Sequence, residues 1–408
     1  MPKLNPAPRF KELPPLSLYI HIPWCAKKCP YCDFNSHAVG PELPEEDYIK
    51  ALLEDLDNDL DFIQGRALRS IFFGGGTPSL FSAKGIGQLL SEIEKKVTFA
   101  EDIEITLEAN PGTFEQQKFA DLRLTGINRL SIGIQSFNDL HLQRLGRIHN
   151  GSEASKAIGM AQKAGFDNFN LDLMHGLPGQ TAIAFAPQHV SWYQLTIEAN
   201  TEFYKKPPQL PDDESRWLIF EQGQALLAAQ GYQQYEVSAY SRPGKASLHN
   251  LNYWQFGDYL GIGAGAHGKI TELAATGDAR IIRTRKTRTP KDYMNKASTR
   301  RSSESIANED IAGEFIMNAL RLNQGFSAQQ FSQYSGLAIS EIAAGVETAV
   351  KRELLTVSAT EQFQPTAKGR LFLDDLVALF IFKVELYSSI YFCSYLNISF
   401  LSHWIWFG

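Results

Sequence analysis

Short stretches dense in apolar residues alternate along the chain with longer stretches in which apolar positions recur every three or four residues. LSLYIHI (16–22), SIFFGG (70–75), IEITLEA (103–109), RLSIGIQ (129–135), FNLDLM (169–174), SWYQLTI (191–197) and YLGIGAGA (259–266) read as strands. Amphipathic helices are expected between several of them. Over Asp47–Ile63, for instance, Tyr48, Leu52, Leu56 and Leu60 share one face and acids occupy the other. Repeated strand–helix units predict an α/β fold built on a parallel sheet with right-handed crossovers, an open partial barrel of the (β/α)6 type. In such barrels chemistry collects at the C-terminal strand ends, so residues just past each strand are the candidates.

The pattern changes after residue 279. Arg280–Arg301 holds nine Lys or Arg against one acid, Asp292, and reads as a solvated connection over 280–308. Ile311–Leu322, Ser327–Tyr334 and Ile339–Arg352 then read as helices, with a hairpin from LLTVSAT and EQFQPTAKGRLFL. Three helices and a hairpin predict a small winged-helix-like domain over 309–382. Residues 1–15 form an N-terminal arm, 16–279 the barrel, and 383–408 a tail.

Composition narrows the partners. The chain has 408 residues, 44% hydrophobic and 21% charged, which excludes wholesale disorder. Its net charge of −6 provides no global field for nucleic acid. Three of the four cysteines fall in HIPWCAKKCPYCDF, directly after the first strand, so they read as ligands in a reducing compartment and not as a disulfide framework. The N-terminus lacks an apolar signal core, which predicts a cytoplasmic protein. Cys25, Cys29 and Cys32 could bind a [4Fe-4S] cluster, leaving one iron open, or zinc with His37 as fourth ligand. No second CxxC pair supports a structural zinc site, so the cluster is the stronger reading.

With CxxxCxxC after the first strand, the chain resembles the radical S-adenosylmethionine enzymes. That resemblance implies a cofactor chelated to the open iron and cleaved reductively to a 5′-deoxyadenosyl radical. In the family, GGGTPS (74–79) contacts the methionyl end, here through Gly75, Gly76 and Thr77. The resemblance carries further cofactor contacts onto Glu108, Gln135, Arg147 and Asp172, and onto Tyr19 and Tyr31 beside the cluster. Within that superfamily, LYIHIPWCAKKCPYCDFNSH, LEANPGT, LGRIH, NLDLMHGLPGQ and HNLNYWQFGDYLGIGAGAHG resemble the oxygen-independent coproporphyrinogen III oxidases and their heme-chaperone relatives, of HemW type. The later helices correspond to the HemN-type C-terminal domain of that group.

Two residues separate the branches. The oxidases usually carry a further cysteine two positions after the third ligand, where Phe34 stands here. The chaperone branch carries HNxxYW, present as His249–Trp254, and His249 is the expected heme ligand. The resemblance therefore implies a heme chaperone that delivers heme to an acceptor apoprotein, such as a respiratory heme enzyme, and needs an electron donor for its cluster. The alternatives are decarboxylation of coproporphyrinogen III, or a docking protein whose cluster gates transfer without turnover.

Two stretches depart from the family pattern. Only eleven residues separate Gly179 from Ser191, with Pro187 among them, too few for a crossover helix and its loops. This predicts an uncovered outer face near Asp172 and a less stable edge. Leu386–Phe407 is a 22-residue run without Asp, Glu, Lys or Arg, open to reading as a membrane contact, a packing segment or a non-native extension.

Overall fold

A computed structural model describes residues 8–112, 116–175, 183–273, 279–295 and 301–381. Seven strands run parallel or nearly so at its centre: β1 (Leu16–Ile22), β2 (Leu68–Gly75), β3 (Phe99–Ala109), β4 (Arg129–Gln135), β5 (Phe169–His175), β6 (His189–Gln194) and, on the other flank of β1, Asp258–Ile262. With β7 (Gln233–Glu236) and β8 (Ala239–Ser241) numbered in chain order, Asp258–Ile262 becomes β9, followed by β10 (His267–Leu273), β11 (Ala279–Lys286) and β12 (Arg301–Ser305). The twelve strands lie in the order β12-β11-β10-β9-β1-β2-β3-β4-β5-β6-β8-β7. Since β12 and β7 are the two ends of that order, the sheet is open and not a closed barrel.

Why the sheet curves around a cavity follows from its alternation. In β4, Leu130, Ile132 and Ile134 are fully buried and point outward into the main core. Arg129, Ser131, Gly133 and Gln135 point inward and line the lumen. The same period of two places Glu108 of β3, Asn170 and Asp172 of β5, and His189, Ser191 and Tyr193 of β6 on the inner wall. A closed barrel fills this space with branched apolar side chains. Here the inner residues are polar, and the interior stays open.

The outer layer forms from helices α1 (Glu45–Asp57), α2 (Ala83–Lys96), α3 (Gln116–Leu124), α4 (Gly151–Lys163) and α5 (Asp213–Ala229). The helix expected to Ile63 ends at Asp57 and resumes as a short 3-10 turn over Leu60–Ile63. Helix α4 starts with a capping box, in which Asn150 and Glu153 satisfy each other's backbone N–H groups.

The basic stretch is not a solvated connection. Its first part is β11 and its end is β12, both hydrogen-bonded into the sheet. The charges explain the difference, because they meet acids on α1 and just past its end. Lys286 is fully buried, with Nζ at 2.6 Å from both Asp55 and Asp59, and Arg301 reaches Asp59 at 2.6 Å. Tyr293 adds a hydroxyl to Asp55 at 2.6 Å. Charge counting along the sequence misses partners that lie more than 200 residues away.

Helix α6 (Leu248–Trp254) precedes β9, and α7 (Asn308–Ala319), α8 (Ala328–Ser335), α9 (Ala343–Lys351) and α10 (Leu373–Ile381) follow β12. The last four join a three-stranded sheet of Phe326–Ser327, Leu355–Val357 and Gln362–Pro365, giving the expected winged-helix-like unit. Its core of Phe315, Phe326, Phe331 and Phe363 is continuous with Phe256 and Ile281 of the large domain.

The outer face beside Asp172 is covered. Leu171 and Leu173 are buried. Ile183 and Phe185 pack on the core, with the Phe185 ring stacked on Phe137 at 5.6 Å. A short strap, helical at residues 183–184, thus does part of a full helix's work, and the exposure falls on α5 instead, where Trp217 and Leu218 are 45% and 52% exposed. Most of the strap's first half and the tail Leu386–Phe407 lie outside the described residues. No helix among the described residues is long and apolar enough to cross a membrane.

Candidate functional site

The cysteine loop is an excursion closed at its base. Trp24–Cys25 pairs in parallel with His37–Ala38, so Cys29 and Cys32 hang on the loop between them. Asn35 ties the loop down by donating from Nδ2 to the carbonyls of Ala264 and Arg288, both at 2.8 Å. All three thiols face one cavity at the C-terminal strand ends. Each also has a separate anchor: Cys25 Sγ lies 3.6 Å from the His37 carbonyl, Cys32 Sγ 3.6 Å from Ser36 Oγ, and Cys29 Sγ 3.5 Å from Arg147 Nη1.

Among the described residues, no three His, Cys, Asp or Glu side chains converge as ligands of a single ion. This does not fit zinc on Cys25, Cys29, Cys32 and His37. Three thiols that share a cavity without meeting at a point suit a polynuclear cluster, in which each sulfur takes a different iron. Burial, followed by the neighbouring thiols Cys32 and Cys29, pushes Cys25 up to about 11. Three thiolates this close require cationic compensation, which cluster iron supplies. The donor set fits the group.

Beside the loop, GGGTPS works through its shape and not through its N–H groups. A Cβ on Gly75, whose φ is 114°, would sit 2.5 Å from the His21 ring, and one on Gly76 would sit 2.4 Å from the Trp24 carbonyl oxygen. The N–H groups of this turn already have partners. Gly75 donates to Glu108 Oε2 at 3.1 Å, Gly76 to the Ile22 carbonyl at 2.8 Å and Thr77 to that of Trp24 at 2.7 Å. What remains for a ligand is a bare backbone surface beside a carboxylate.

Arg147 links loop and strands. Its Nη2 donates to Asn110 Oδ1 at 2.6 Å and to the Gly133 carbonyl at 2.7 Å, while Nη1 lies 3.5 Å from both Cys29 Sγ and the Tyr31 hydroxyl. Gln135 holds a positive φ of 65°, a strained conformation for a residue with a side chain, and accepts from the Tyr193 hydroxyl at 2.7 Å. Asp172 accepts from Asn170 at 2.7 Å and from Ser131 at 3.1 Å. Burial raises Asp172, and burial followed by Asp172's own charge pushes Glu108 up to about 8.

Tyr31, Gly75, Gly76, Thr77, Glu108, Gln135, Arg147 and Asp172 thus share the cavity with the three cysteines. Tyr19 does not line it. Its hydroxyl bonds His21 Nδ1 at 2.9 Å behind the glycine turn, where its ring touches Gly74. His249 is also outside the lining. It is fully buried, with Nδ1 at 2.8 Å from Ser70 Oγ and Nε2 at 2.9 Å from the Tyr253 hydroxyl. Burial lowers its pKa to about 3 and so keeps the ring neutral, but both ring nitrogens are occupied, so the expected role as an iron ligand does not fit this arrangement. Its motif neighbours Asn250, Tyr253 and Trp254 do reach the lumen.

The cavity holds about 250 Å³, near the lower end of the roughly 300–1,000 Å³ of a small-ligand pocket. Arg129, Asn110, Ser131, Asn170, Tyr193 and Arg321 line it although the motifs did not point to them. For four of these a signal existed: polar residues at every second position inside otherwise apolar strands.

The description of the radical SAM superfamily matches residues 19–186, and that of the HemN C-terminal domain matches 306–372. Heme chaperone HemW of Haemophilus influenzae is 52% identical over 91% of this chain and 99% of its own length. That of Escherichia coli is 50% identical over the same shares. The chain belongs to the HemW family. A more distant HemW, from Bacillus subtilis, is 31% identical over 90% of the chain. The solved structure of coproporphyrinogen III oxidase (HemN) from Escherichia coli superposes with a TM-score of 0.74 over 90% of each chain, at 23% identity, a likeness of fold. HemW membership places this chain's cysteine loop and polar lumen in a radical SAM scaffold.

Proposed function

We propose that the chain is a heme chaperone that binds heme in the lumen and passes it to an acceptor protein in the cytoplasm. In this reading a [4Fe-4S] cluster sits on Cys25, Cys29 and Cys32, with S-adenosylmethionine beside it against Gly75, Gly76, Thr77, Glu108, Gln135, Arg147 and Asp172. Such a cluster, once reduced by a donor, supplies one electron to the sulfonium. The protein's own part is to fix the cysteine loop through Arg147 and Asn35, to shape the cofactor's bed with side-chain-free backbone, and to keep the site shielded from water.

The observation that carries the reading is identity of half or more, over essentially their full length, with two proteins named heme chaperones. Phe34, in place of the oxidases' additional cysteine, agrees with it. A respiratory heme enzyme as acceptor and a membrane contact through the tail belong to this proposal as its finer parts.

Anaerobic titration of the cluster-reconstituted protein with heme, followed by absorbance, tests it. Saturation near one heme per chain is the expected result. Absence of saturable binding, together with decarboxylation of coproporphyrinogen III, would replace it with the oxidase reading.

A further inference from the structure

The deep end of the lumen carries donors that the fold does not use. Arg129 opens β4 and Gln135 closes it. At about 3.3 Å per residue, Arg129 lies roughly 20 Å along the strand from the end that faces the cysteine loop. It is 2% exposed and lines the cavity. Its ion-pair neighbour is Glu104, whose Oε2 is 3.8 Å from Nε, beyond hydrogen-bond reach. Glu104 is itself served by Ser247 Oγ at 3.3 Å and by the His249 N–H at 3.2 Å. Among the described residues nothing accepts a hydrogen bond from Arg129, and its Nε is buried without a partner.

Arg321 reaches the same cavity from the C-terminal domain, just past α7. Its contact with Glu236 is 3.4 Å long, and the other Glu236 oxygen already accepts from the N–H and hydroxyl of Ser238 at 3.0 and 3.1 Å. Its Nε is also buried and unpartnered. The guanidinium lies 4.3 Å above the ring of Trp254, whose indole N–H has no partner either.

A guanidinium keeps its charge and offers five N–H donors in a planar fork that matches a carboxylate. Burying two of them with almost no acceptors is costly unless an acceptor arrives from outside. Glu108 pairs in register with Ser131, two residues along β4 from Arg129, Asp172 also feels the Arg129 charge, and Glu236 lines the cavity beside Arg321. Phe72, Tyr253 and Trp254 add aromatic wall to the lumen.

We propose that Arg129, Arg321 and the indole N–H of Trp254 form a carboxylate subsite at the deep end of the lumen, and that it takes a propionate arm of the tetrapyrrole. This deepens the heme-chaperone reading and rests on it. It also assigns the C-terminal domain a part in the site, since Arg321 completes the subsite from across the domain boundary.

Cluster-reconstituted protein titrated with heme and, separately, with heme dimethyl ester tests the proposal without any variant, because the ester keeps the macrocycle and removes the negative charge. Heme should bind about tenfold or more tighter than the ester, the scale of charge-assisted hydrogen bonds to a buried arginine. Arg129→Gln and Arg321→Gln should each reduce that preference to within about threefold. Equal binding of heme and ester by the unaltered chain, or an undiminished preference in both variants, overturns the subsite and leaves the chaperone reading standing. Failure to bind either compound overturns the chaperone reading and the subsite with it.

Discussion

Glu108 should make cofactor binding a proton-releasing event. Its pKa rises to about 8 because burial disfavours its charge, with further opposition from Asp172, and the Gly75 N–H only partly offsets both. Below about pH 8 the neutral acid therefore dominates in the free protein, and at pH 7 roughly nine molecules in ten are protonated. S-adenosylmethionine brings a sulfonium, and a cation nearby favours the carboxylate. If the complex holds Glu108 ionised, binding at pH 7 must expel about 0.9 proton and costs about 1.4 kcal/mol, one pKa unit. Affinity should then tighten roughly tenfold between pH 7 and pH 9 and level off above that range. The released proton belongs to the Glu108–Asp172 pair, so Asp172→Asn, by removing the repulsion, should move the transition to lower pH. Calorimetry of S-adenosylmethionine binding at pH 7 in two buffers of different ionisation enthalpy measures the release directly. Glu108→Gln should abolish the release and flatten the pH profile. A wild-type affinity that is constant from pH 6 to 9, with no buffer dependence, would refute the argument.

Two further outcomes follow from the packing. Arg147 fastens the Cys29 side of the loop to β4 and to Asn110, so Arg147→Gln should weaken retention of cluster iron roughly 10–100-fold under chelator challenge, the usual cost of losing a ligand's outer partner. Unchanged iron content over the same challenge would reject that role. Lys286→Met leaves Asp55 and Asp59 buried without their shared cation, which should cost about 3–5 kcal/mol. Denaturant unfolding reads this as a lower midpoint with unchanged slope, and a loss under about 1 kcal/mol would show that the network does not hold β11 to α1.

The sequence made the architecture and the cluster loop readable because both rest on local signals. Apolar runs marked all seven parallel strands within a few residues, and CxxxCxxC followed the first of them. Strands β10 to β12 were hidden for a physical reason. Lys269 and Lys286 look like surface charges in a linear reading, yet each is buried against acids distant in the chain, Asp258 in one case and Asp55 with Asp59 in the other. The strap after β5 was misjudged in a related way. Counting residues left no room for a full crossover helix, yet residues 183–184 are helical and the packing of Phe185 on Phe137 covers the sheet.

His249 separates what a motif locates from what a side chain does there. The HNxxYW pattern marked the right helix, since Asn250, Tyr253 and Trp254 of α6 all face the lumen. Helical geometry sets the histidine itself on the opposite task. Its ring stacks on Phe72 at 5.0 Å and meets Tyr253 edge-on at 4.8 Å, with Ser70 of β2 and the Tyr253 hydroxyl on its two nitrogens. A neutral imidazole bonded at both ends is a strut, and this one joins β2 to α6 through the wall of the cavity. Ser70 Oγ in turn donates to Ser17 Oγ at 2.8 Å, extending the strut to β1. Moving the ring toward an iron would break both bonds and leave buried hydroxyls without partners. The same strut holds Tyr253 in place and sets the pitch of α6, and thereby places the Trp254 indole under Arg321. The histidine of the motif thus serves the lumen by fixing what lines it.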